Sequence, residues 1–263
     1  MSQNTFLITG ASDGIGAVYA ERLAKRGHDL VLVARRAEKL KALAAQLEKD
    51  HHIVVEVLSA DLSRAEDLER VERRLREDHD ITGLVNNAGI AGDGAITALD
   101  PAYVTTMINL NILAVTRLAA AIAPRLADSG NGTIINITSV TALMPAAFTA
   151  VYPATKAFVL AFTEAMQAQL SPSGVRVQAV LPGITRTAIW EEERLDAIPA
   201  SMVMDVYEMV DAALAGLDLG ETLTIPSLPD TTDLDNFLAA RAALRPNLSH
   251  ARAASRYHAI KSE

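Results

Sequence analysis

The sequence predicts an α/β fold, a doubly wound parallel sheet of about seven strands with helices on both faces. Short apolar runs alternate along the chain with longer segments whose apolar residues recur with the helical period. The apolar runs lack strict polar alternation, which is typical of strands covered on both faces. Three glycines follow the first run directly and open the first helical segment.

Each predicted strand is a short run rich in Val, Ile and Leu, and each predicted helix lies between two such runs. The predicted strands are Thr5–Thr9, Asp29–Ala34, Ile53–Ser59, Gly83–Val85, Gly132–Thr138, Val175–Leu181 and Thr222–Ile225. The predicted helices are Ile15–Arg26, Ala37–Lys49, Ala65–Asp78, Ala102–Ala127, Tyr152–Leu170, Met204–Leu217 and Leu234–Leu244. We expect one domain over residues 1–263, with a substrate lid at about 188–215 and an extra helical tail at about 231–263.

Composition excludes several classes of function. Half of the 263 residues are apolar, which is ample for a large core, and the net charge of −8 argues against nucleic-acid binding and a polybasic membrane anchor. The chain has no cysteine, so disulfides, thiolate zinc sites and a cysteine nucleophile are excluded. No metal-binding spacing surrounds His51 and His52. The first strand begins within five residues of the start and no apolar run reaches spanning length, so we expect a cytoplasmic protein without a membrane partner.

A tyrosine and a lysine stand four residues apart, at Tyr152 and Lys156, and Ser139 lies thirteen residues upstream of the tyrosine. Residues at i and i+4 of a helix are neighbours, so the ammonium group is expected close to the phenol. A unit charge about 4 Å away at an effective dielectric near 20 is worth about 4 kcal/mol, enough to lower the pKa of a tyrosine toward neutrality. Such a phenol exchanges protons readily. An ordinary solvated helix pair has the same pattern and is the alternative.

A glycine-rich segment joins the first predicted strand to the first predicted helix. Gly10 allows the tight turn, Gly14 lets the backbone approach a pyrophosphate, and Gly16 lets the helix pack close to the strand. The N–H groups at the start of the helix bind an anion. The pattern therefore indicates a phosphate-binding loop, although glycines also mark plain turns.

Together these motifs resemble those of the short-chain dehydrogenase/reductase (SDR) family, over roughly Thr5 to Thr187. The resemblance implies a Rossmann-like fold. The matching segments are Thr9–Gly16, Asn86–Gly89 and Pro182–Thr187, and the residues that match the catalytic tetrad are Asn111, Ser139, Tyr152 and Lys156. Asn109 lies in the same predicted helix and is the alternative to Asn111, which we choose because the residues after it align better with the family pattern.

The end of the second predicted strand indicates the cofactor. Relatives that prefer NAD place an acidic residue there, whereas this strand ends in Ala34 and continues with Arg35 and Arg36, whose guanidinium groups suit a phosphate. We predict NADP(H) over NAD(H), with the Ser12 hydroxyl assisting, although Asp13 stands where NADP-using relatives often carry a basic residue. The alternative is that both arginines only begin a solvated helix. The resemblance predicts cofactor contacts from Gly10, Ser12, Asp13, Gly14, Ile15, Gly16, Arg35, Arg36, Asp61, Leu62, Asn87, Ala88, Gly89, Tyr152, Lys156, Pro182, Gly183, Ile184 and Thr187.

The resemblance also implies roles for the tetrad. The nicotinamide delivers hydride to a carbonyl carbon while Tyr152 protonates the oxygen as general acid. Ser139 orients that oxygen. Lys156 lowers the pKa of the tyrosine and binds the nicotinamide ribose, and Asn111 holds a water that passes protons from Lys156 to solvent. No metal is expected.

The substrate pocket is predicted around Ser139, Val140, Met144 and Trp190. Trp190 is the only tryptophan, and it suits the packing of a lid helix equally well. The mostly apolar lining favours an aliphatic or aromatic ketone, aldehyde or secondary alcohol as the small-molecule substrate. Two alternatives stay open, a 3-oxoacyl-[acyl-carrier-protein] reductase and a non-catalytic NADP-binding redox sensor or regulator.

The long predicted helices carry more apolar residues than one sheet face needs. Phe158, Phe162, Met166 and Leu170 are spaced by four residues. In the family these helices pair across a two-fold axis, so we expect a homodimer or homotetramer. The alternative is that this apolar stripe lies wholly inside one chain.

Overall fold

The structure, a computed structural model, describes residues 4–92, 94–187 and 195–257. A first compact unit ends at Pro226, and a second begins at Ser227. The first unit contains the strands β1 Thr5–Thr9, β2 Asp29–Ala34, β3 Val55–Ser59, β4 Ile81–Asn86, β5 Thr133–Ile137, β6 Arg176–Val180 and β7 Leu223–Thr224. They form one parallel sheet in the order β3-β2-β1-β4-β5-β6-β7. The predicted doubly wound parallel sheet is confirmed.

Alternate residues of the central strand β1 face the two sides of the sheet. Phe6 and Ile8 belong to one apolar core, which lies against α1 Gly14–Lys25, and Leu7 belongs to the other. All three side chains are buried, which explains why the strand shows no polar alternation.

The helices that cover the sheet are α2 Ala37–His51, α3 Ala65–Glu77, α4 Pro101–Ile108, α5 Val115–Ser129, α6 Val151–Leu170 and α7 Val206–Asp218. Because α7 contributes Met209, Val210 and Ala213 to the core, the later part of the segment predicted as a lid is a core helix. Residues 188–194 of that segment lie outside the described residues.

One predicted helix, Ala102–Ala127, is not α-helical throughout. A π-helical segment, Asn109–Ala114, separates α4 from α5. Such a segment inserts one extra residue into the helix, so the side chains that follow it point in a different direction around the helix axis. Segments of this kind are frequent at functional sites. Asn111 lies within it and is buried.

Among the described residues, one helical stretch, Pro101–Ser129, is long and apolar enough to cross a membrane by length and composition alone. The expectation that no segment reaches spanning length is therefore wrong by these two measures. Core helices have the same composition, and Met107, Leu118 and Ile122 of this stretch are buried in the core.

The second unit contains the helix α8 Thr232–Ala243, close to the predicted Leu234–Leu244. No residue of α8 is buried. The assignment of the whole chain to one domain remains a prediction.

Candidate active site

The three residues of the predicted proton-transfer group lie beyond the carboxyl end of β5. Ser139 follows β5 closely, and Tyr152 and Lys156 occupy the first turns of α6. The side chain of Ser139 is hydrogen-bonded to Tyr152. Ser139 is 8% exposed and Tyr152 is half-buried, so the hydroxyl pair is shielded from most of the solvent.

The ammonium group of Lys156 lies against the tyrosine ring. Its Nζ is 5.8 Å from the centroid of the Tyr152 ring and donates a hydrogen bond of 3.0 Å to the carbonyl oxygen of Ile137. The backbone after β4 borders it, since a Cβ added to Gly89 would lie 3.5 Å from Nζ. The spacing of four residues on α6 therefore brings the phenol and the amine to one buried corner.

Burial governs the pKa values of both groups. It lowers the pKa of Lys156 to about 8. It raises the pKa of Tyr152 above its ordinary value, and the hydrogen bond from Ser139 opposes this rise only in part. The expectation that Lys156 brings the pKa of Tyr152 toward neutrality is therefore wrong. Desolvation disfavours the phenolate more strongly than the Ser139 hydrogen bond favours it.

The side chain of Asn111 joins the loop after β4 to α6. Its Oδ1 accepts a hydrogen bond from the Ile90 N–H at 2.9 Å, and its Nδ2 donates to the Ile90 carbonyl at 2.9 Å and to the Thr155 hydroxyl at 3.1 Å. Thr155 in turn donates to the carbonyl oxygen of Tyr152. Because the amide is hydrogen-bonded on both sides, it holds the loop and α6 together. That Asn111 holds a water stays a prediction.

The glycine loop has the tight packing that the sequence predicts. Gly10 has a φ of +66°, and a Cβ there would lie 2.7 Å from Nδ2 of Asn87. A Cβ at Gly16 would clash with the carbonyl oxygen of Gly10 and would lie 2.6 Å from the same Nδ2. No larger residue fits these two positions, and α1 therefore begins directly against the end of β1. Ile15, the second residue of α1, packs on the core.

The segment after β4 fastens this loop. The Thr9 hydroxyl accepts hydrogen bonds from the N–H groups of Asn87 at 2.9 Å and Ala88 at 3.0 Å, and it donates to the Val85 carbonyl at 3.2 Å. Asn87 also donates from Nδ2 to the Thr9 carbonyl at 2.9 Å. Asn87 and Ala88 therefore hold the two strand ends together.

Four polar side chains form a cluster at the ends of β1 and β2. Nη2 of Arg36 donates to the Ser12 hydroxyl at 3.0 Å, and Lys39 donates to Oδ2 of Asp13 at 2.8 Å. The Lys39 ammonium holds the pKa of Asp13 below its ordinary value. Arg35 is exposed beside this cluster. Lys39 is not among the predicted site residues, although its position three residues after Arg36 places both cations on one side of α2.

Two further predicted cofactor residues follow β3. Asp61 accepts hydrogen bonds from Ser63, at 2.6 Å from its hydroxyl and 3.0 Å from its N–H. Partial burial opposes ionisation of Asp61, but the Ser63 hydrogen bonds and the charge of Arg35 bring its pKa below the ordinary value. Leu62 has its side chain buried in the core, so only its backbone remains for a ligand.

The loop after β6 returns to the glycine loop. Thr187 faces Gly14, since a Cβ at Gly14 would lie 3.3 Å from the Thr187 side chain. The Pro182 carbonyl accepts a hydrogen bond from Val140, and the Ile184 carbonyl accepts one from Met204. The space beside Gly183 is open, with nothing within 4 Å of an added Cβ.

Several large apolar side chains on the loops after β4 and β5 are exposed. Met144 is 66% exposed, and Ile96 and Phe148, which the sequence analysis did not single out, are 67% and 54% exposed. Val140 is half-buried beside Ser139. Trp190 lies outside the described residues.

The residues beside the start of α1 fit an anionic dinucleotide. A cavity of about 580 Å³ is lined by Ser12, Asp13, Gly14, Lys39 and Thr187, among others. Helix N-termini attract phosphate, and exposed Arg and Lys side chains flank this one. Among the described residues, no group of His, Cys, Asp or Glu side chains is arranged to hold a metal ion.

Comparisons with curated proteins find oxidoreductases. The chain is 33% identical over 187 residues to the very-long-chain 3-oxoacyl-CoA reductase-B of Danio rerio, which covers 70% of this chain and 60% of the relative. It is 34% identical over 218 residues to the human 17-beta-hydroxysteroid dehydrogenase type 3, covering 82% and 69%. The chain thus spans about 60% of the length of the first of these relatives.

Solved structures are similar over nearly the whole chain. A short-chain dehydrogenase from Sphingobium yanoikuyae, in complex with NADPH, is 50% identical with a TM-score of 0.93, covering 97% of this chain and 99% of that one. A bulky-bulky ketone specific alcohol dehydrogenase from Comamonas testosteroni is 44% identical with a TM-score of 0.91, covering 98% and 99%. The family model described as short chain dehydrogenase matches residues 4–197. The chain therefore belongs to the short-chain dehydrogenase family.

Proposed function

We propose that the protein is an NADP(H)-dependent carbonyl reductase that interconverts ketones or aldehydes and secondary alcohols. The observation that carries the proposal is the hydrogen-bonded pair of Ser139 and Tyr152 beside the buried ammonium group of Lys156. A redox sensor needs the glycine loop but has no use for these three groups together, and this favours an enzyme over a regulator.

The proposed mechanism assigns one step to each side chain. The glycine loop and the cations after β2 would hold NADPH, which would supply the hydride for the carbonyl carbon. Tyr152 gives its proton to the carbonyl oxygen, so the product is the alcohol and no full alkoxide accumulates. The raised pKa of Tyr152 keeps the phenol protonated at neutral pH, which is the form that donates. Ser139 orients the carbonyl oxygen, and Lys156, with a pKa of about 8, is mostly protonated at neutral pH and holds its charge against the tyrosine ring.

The substrate class follows from the apolar residues around the site. Ile96, Met144 and Phe148 lie on the loops after β4 and β5 and expose large apolar side chains. Apolar side chains on the loops beyond the carboxyl ends of the strands suit an apolar ligand. The Comamonas relative is described as specific for bulky-bulky ketones. We therefore propose ketones with a large apolar group on each side of the carbonyl.

The preference for NADP(H) rests on the cations after β2. Arg36 reaches the Ser12 hydroxyl, and Arg35 and Lys39 are exposed beside it. Guanidinium groups bind phosphate with charge-assisted hydrogen bonds. The Sphingobium relative, with its NADPH, agrees with this choice.

A 3-oxoacyl thioester reductase is the second candidate. The similarity to very-long-chain 3-oxoacyl-CoA reductases at 33% identity favours it. Carrier-protein thioesters belong to the same substrate class, so both acyl carriers are tested.

The test is the loss of NADPH absorbance with a panel of carbonyl compounds. The panel contains a ketone with two aryl groups, a small dialkyl ketone, and 3-oxoacyl thioesters of CoA and of acyl carrier protein. The proposal predicts the highest kcat/KM for the diaryl ketone. Faster turnover of a thioester would establish the second candidate. If the protein binds NADPH but turns over none of these compounds, the remaining function is that of a redox sensor or regulator.

We also propose that two or four copies assemble through α5 and α6. Met166 is buried in the core, so the predicted stripe is partly internal, but Phe158 is 41% exposed and stacks on Phe162 at 6.1 Å. Leu113, before α5, is 43% exposed. A second copy would cover this surface through an isologous contact. A monomeric mass at micromolar concentration in sedimentation would contradict the assembly.

A further inference from the structure

The carboxylate of Asp13 serves two structural elements with its two oxygens. Oδ1 accepts the Gly14 N–H at 2.8 Å and so caps α1. Oδ2 lies 2.8 Å from Nζ of Lys39 and 3.5 Å from Nη2 of Arg36. The cap fixes the position of the carboxylate, and two cations approach the same oxygen.

The guanidinium group of Arg36 contacts two residues, Ser12 and Asp13. Its Nε and Nη2 donate to the Ser12 hydroxyl at 3.3 and 3.0 Å, while Nη2 also lies near Asp13. The side chains of Arg36, Lys39 and Asp13 are 52%, 53% and 37% exposed. Because Ser12, Asp13 and Lys39 line the same cavity, the cluster faces the space beside the start of α1.

An acidic side chain at this place opposes the proposed cofactor. The carboxylate of Asp13 repels a phosphate on the adenosine ribose, and it attracts Arg36, which the phosphate needs. A cation that pairs with Asp13 removes both effects.

Building on the proposed NADP(H) function, we propose that Lys39 is a positioning residue that determines cofactor specificity. By pairing with Asp13, Lys39 neutralises the charge of the carboxylate, so that Arg36 is available to bind the 2′-phosphate. Without Lys39, the carboxylate is uncovered and Arg36, already 3.5 Å away, moves to it. Binding of NADPH then weakens, whereas NADH, which has no 2′-phosphate, is little affected.

The test is a cycle of three variants, Lys39→Met, Asp13→Asn and the double variant, with dissociation constants for NADPH and NADH measured by calorimetry. Asn caps a helix as well as Asp, so Asp13→Asn removes the charge and keeps the cap. The control is Lys41→Met, since Lys41 is an exposed lysine of the same helix that pairs with Glu38.

The proposal predicts that Lys39→Met weakens NADPH binding by about threefold to tenfold, with NADH and the Lys41→Met control within about twofold of wild type. It predicts that the double variant recovers NADPH binding to within about twofold of wild type. A double variant as weak as Lys39→Met would overturn it, because Lys39 would then contact the phosphate itself. Equal losses for both cofactors, or an unchanged affinity for NADPH, would also overturn it. Wild-type preference for NADH in the same titrations would instead refute the proposed cofactor.

Discussion

Replacing Lys156 by Met is expected to change how the stability of the protein depends on pH. Lys156 is 6% exposed, and burial lowers its pKa from 10.5 to about 8. Between these two values the unfolded chain binds more protons at this residue than the folded protein does, so the lysine makes the free energy of unfolding rise with pH. From about pH 7 to about pH 9 the rise contributed by Lys156 is about 1 kcal/mol.

The assay is urea unfolding of the cofactor-free protein at several pH values across this window. Lys156→Met also removes the hydrogen bond to the Ile137 carbonyl, but that loss is a constant offset and leaves the slope with pH unchanged. The difference in unfolding free energy between wild type and Lys156→Met is expected to move by about 1 kcal/mol in favour of wild type as pH rises. Lys41→Met, which removes an exposed lysine, should run parallel to wild type. If the unfolding free energy of Lys156→Met also changes with pH in parallel to that of wild type, the desolvation of Lys156 that the structure indicates would be contradicted.

Three further changes have expected outcomes. Ser139→Ala removes the hydrogen bond to Tyr152, the proposed general acid, so kcat should fall by about tenfold to a hundredfold while calorimetry shows unchanged NADPH binding. A loss of NADPH binding instead would make the serine a cofactor residue. Ala34→Asp combined with Arg35→Ala supplies an acceptor for the ribose hydroxyl and removes a phosphate contact. The ratio of kcat/KM for NADPH to kcat/KM for NADH should therefore fall by roughly one to two decades. An unchanged ratio would place the phosphate contact at other residues. Arg117→Met leaves the Glu72 carboxylate, which is 5% exposed, without its bidentate partner. The free energy of unfolding, measured by urea titration at neutral pH, should therefore fall by about 1 to 3 kcal/mol. A change near zero would show that water reaches Glu72.

Local sequence patterns were sufficient for the sheet. β1 and β2 begin and end at the predicted residues, because both are apolar runs with polar or glycine neighbours. The helix predicted at Ala102–Ala127 shows the limit of this approach. Its apolar period continues through Asn109–Ala114, and a π-helical segment leaves no signal in a pattern that only counts apolar positions.

The electrostatics of the site depend on the tertiary structure. The spacing of Tyr152 and Lys156 predicts that the two groups meet, but the direction of the tyrosine pKa follows from burial, which no local pattern contains. The pairing of Lys39 with Asp13 joins residues that are 26 positions apart, and it requires the glycine loop and α2 to be in place. The sequence therefore indicates candidate groups for the site, and the fold decides their charges and partners.

The most direct test of the proposed activity compares wild type with Tyr152→Phe in the reduction of a diaryl ketone by NADPH, with the alcohol product quantified. Phe keeps the packing of the ring and removes the hydroxyl that donates the proton. We expect wild type to form one alcohol molecule per NADPH oxidised. For Tyr152→Phe we expect a rate lower by at least about a hundredfold, with NADPH bound as tightly as before. A variant that keeps more than about a tenth of the wild-type rate would contradict the assignment of Tyr152 as the general acid.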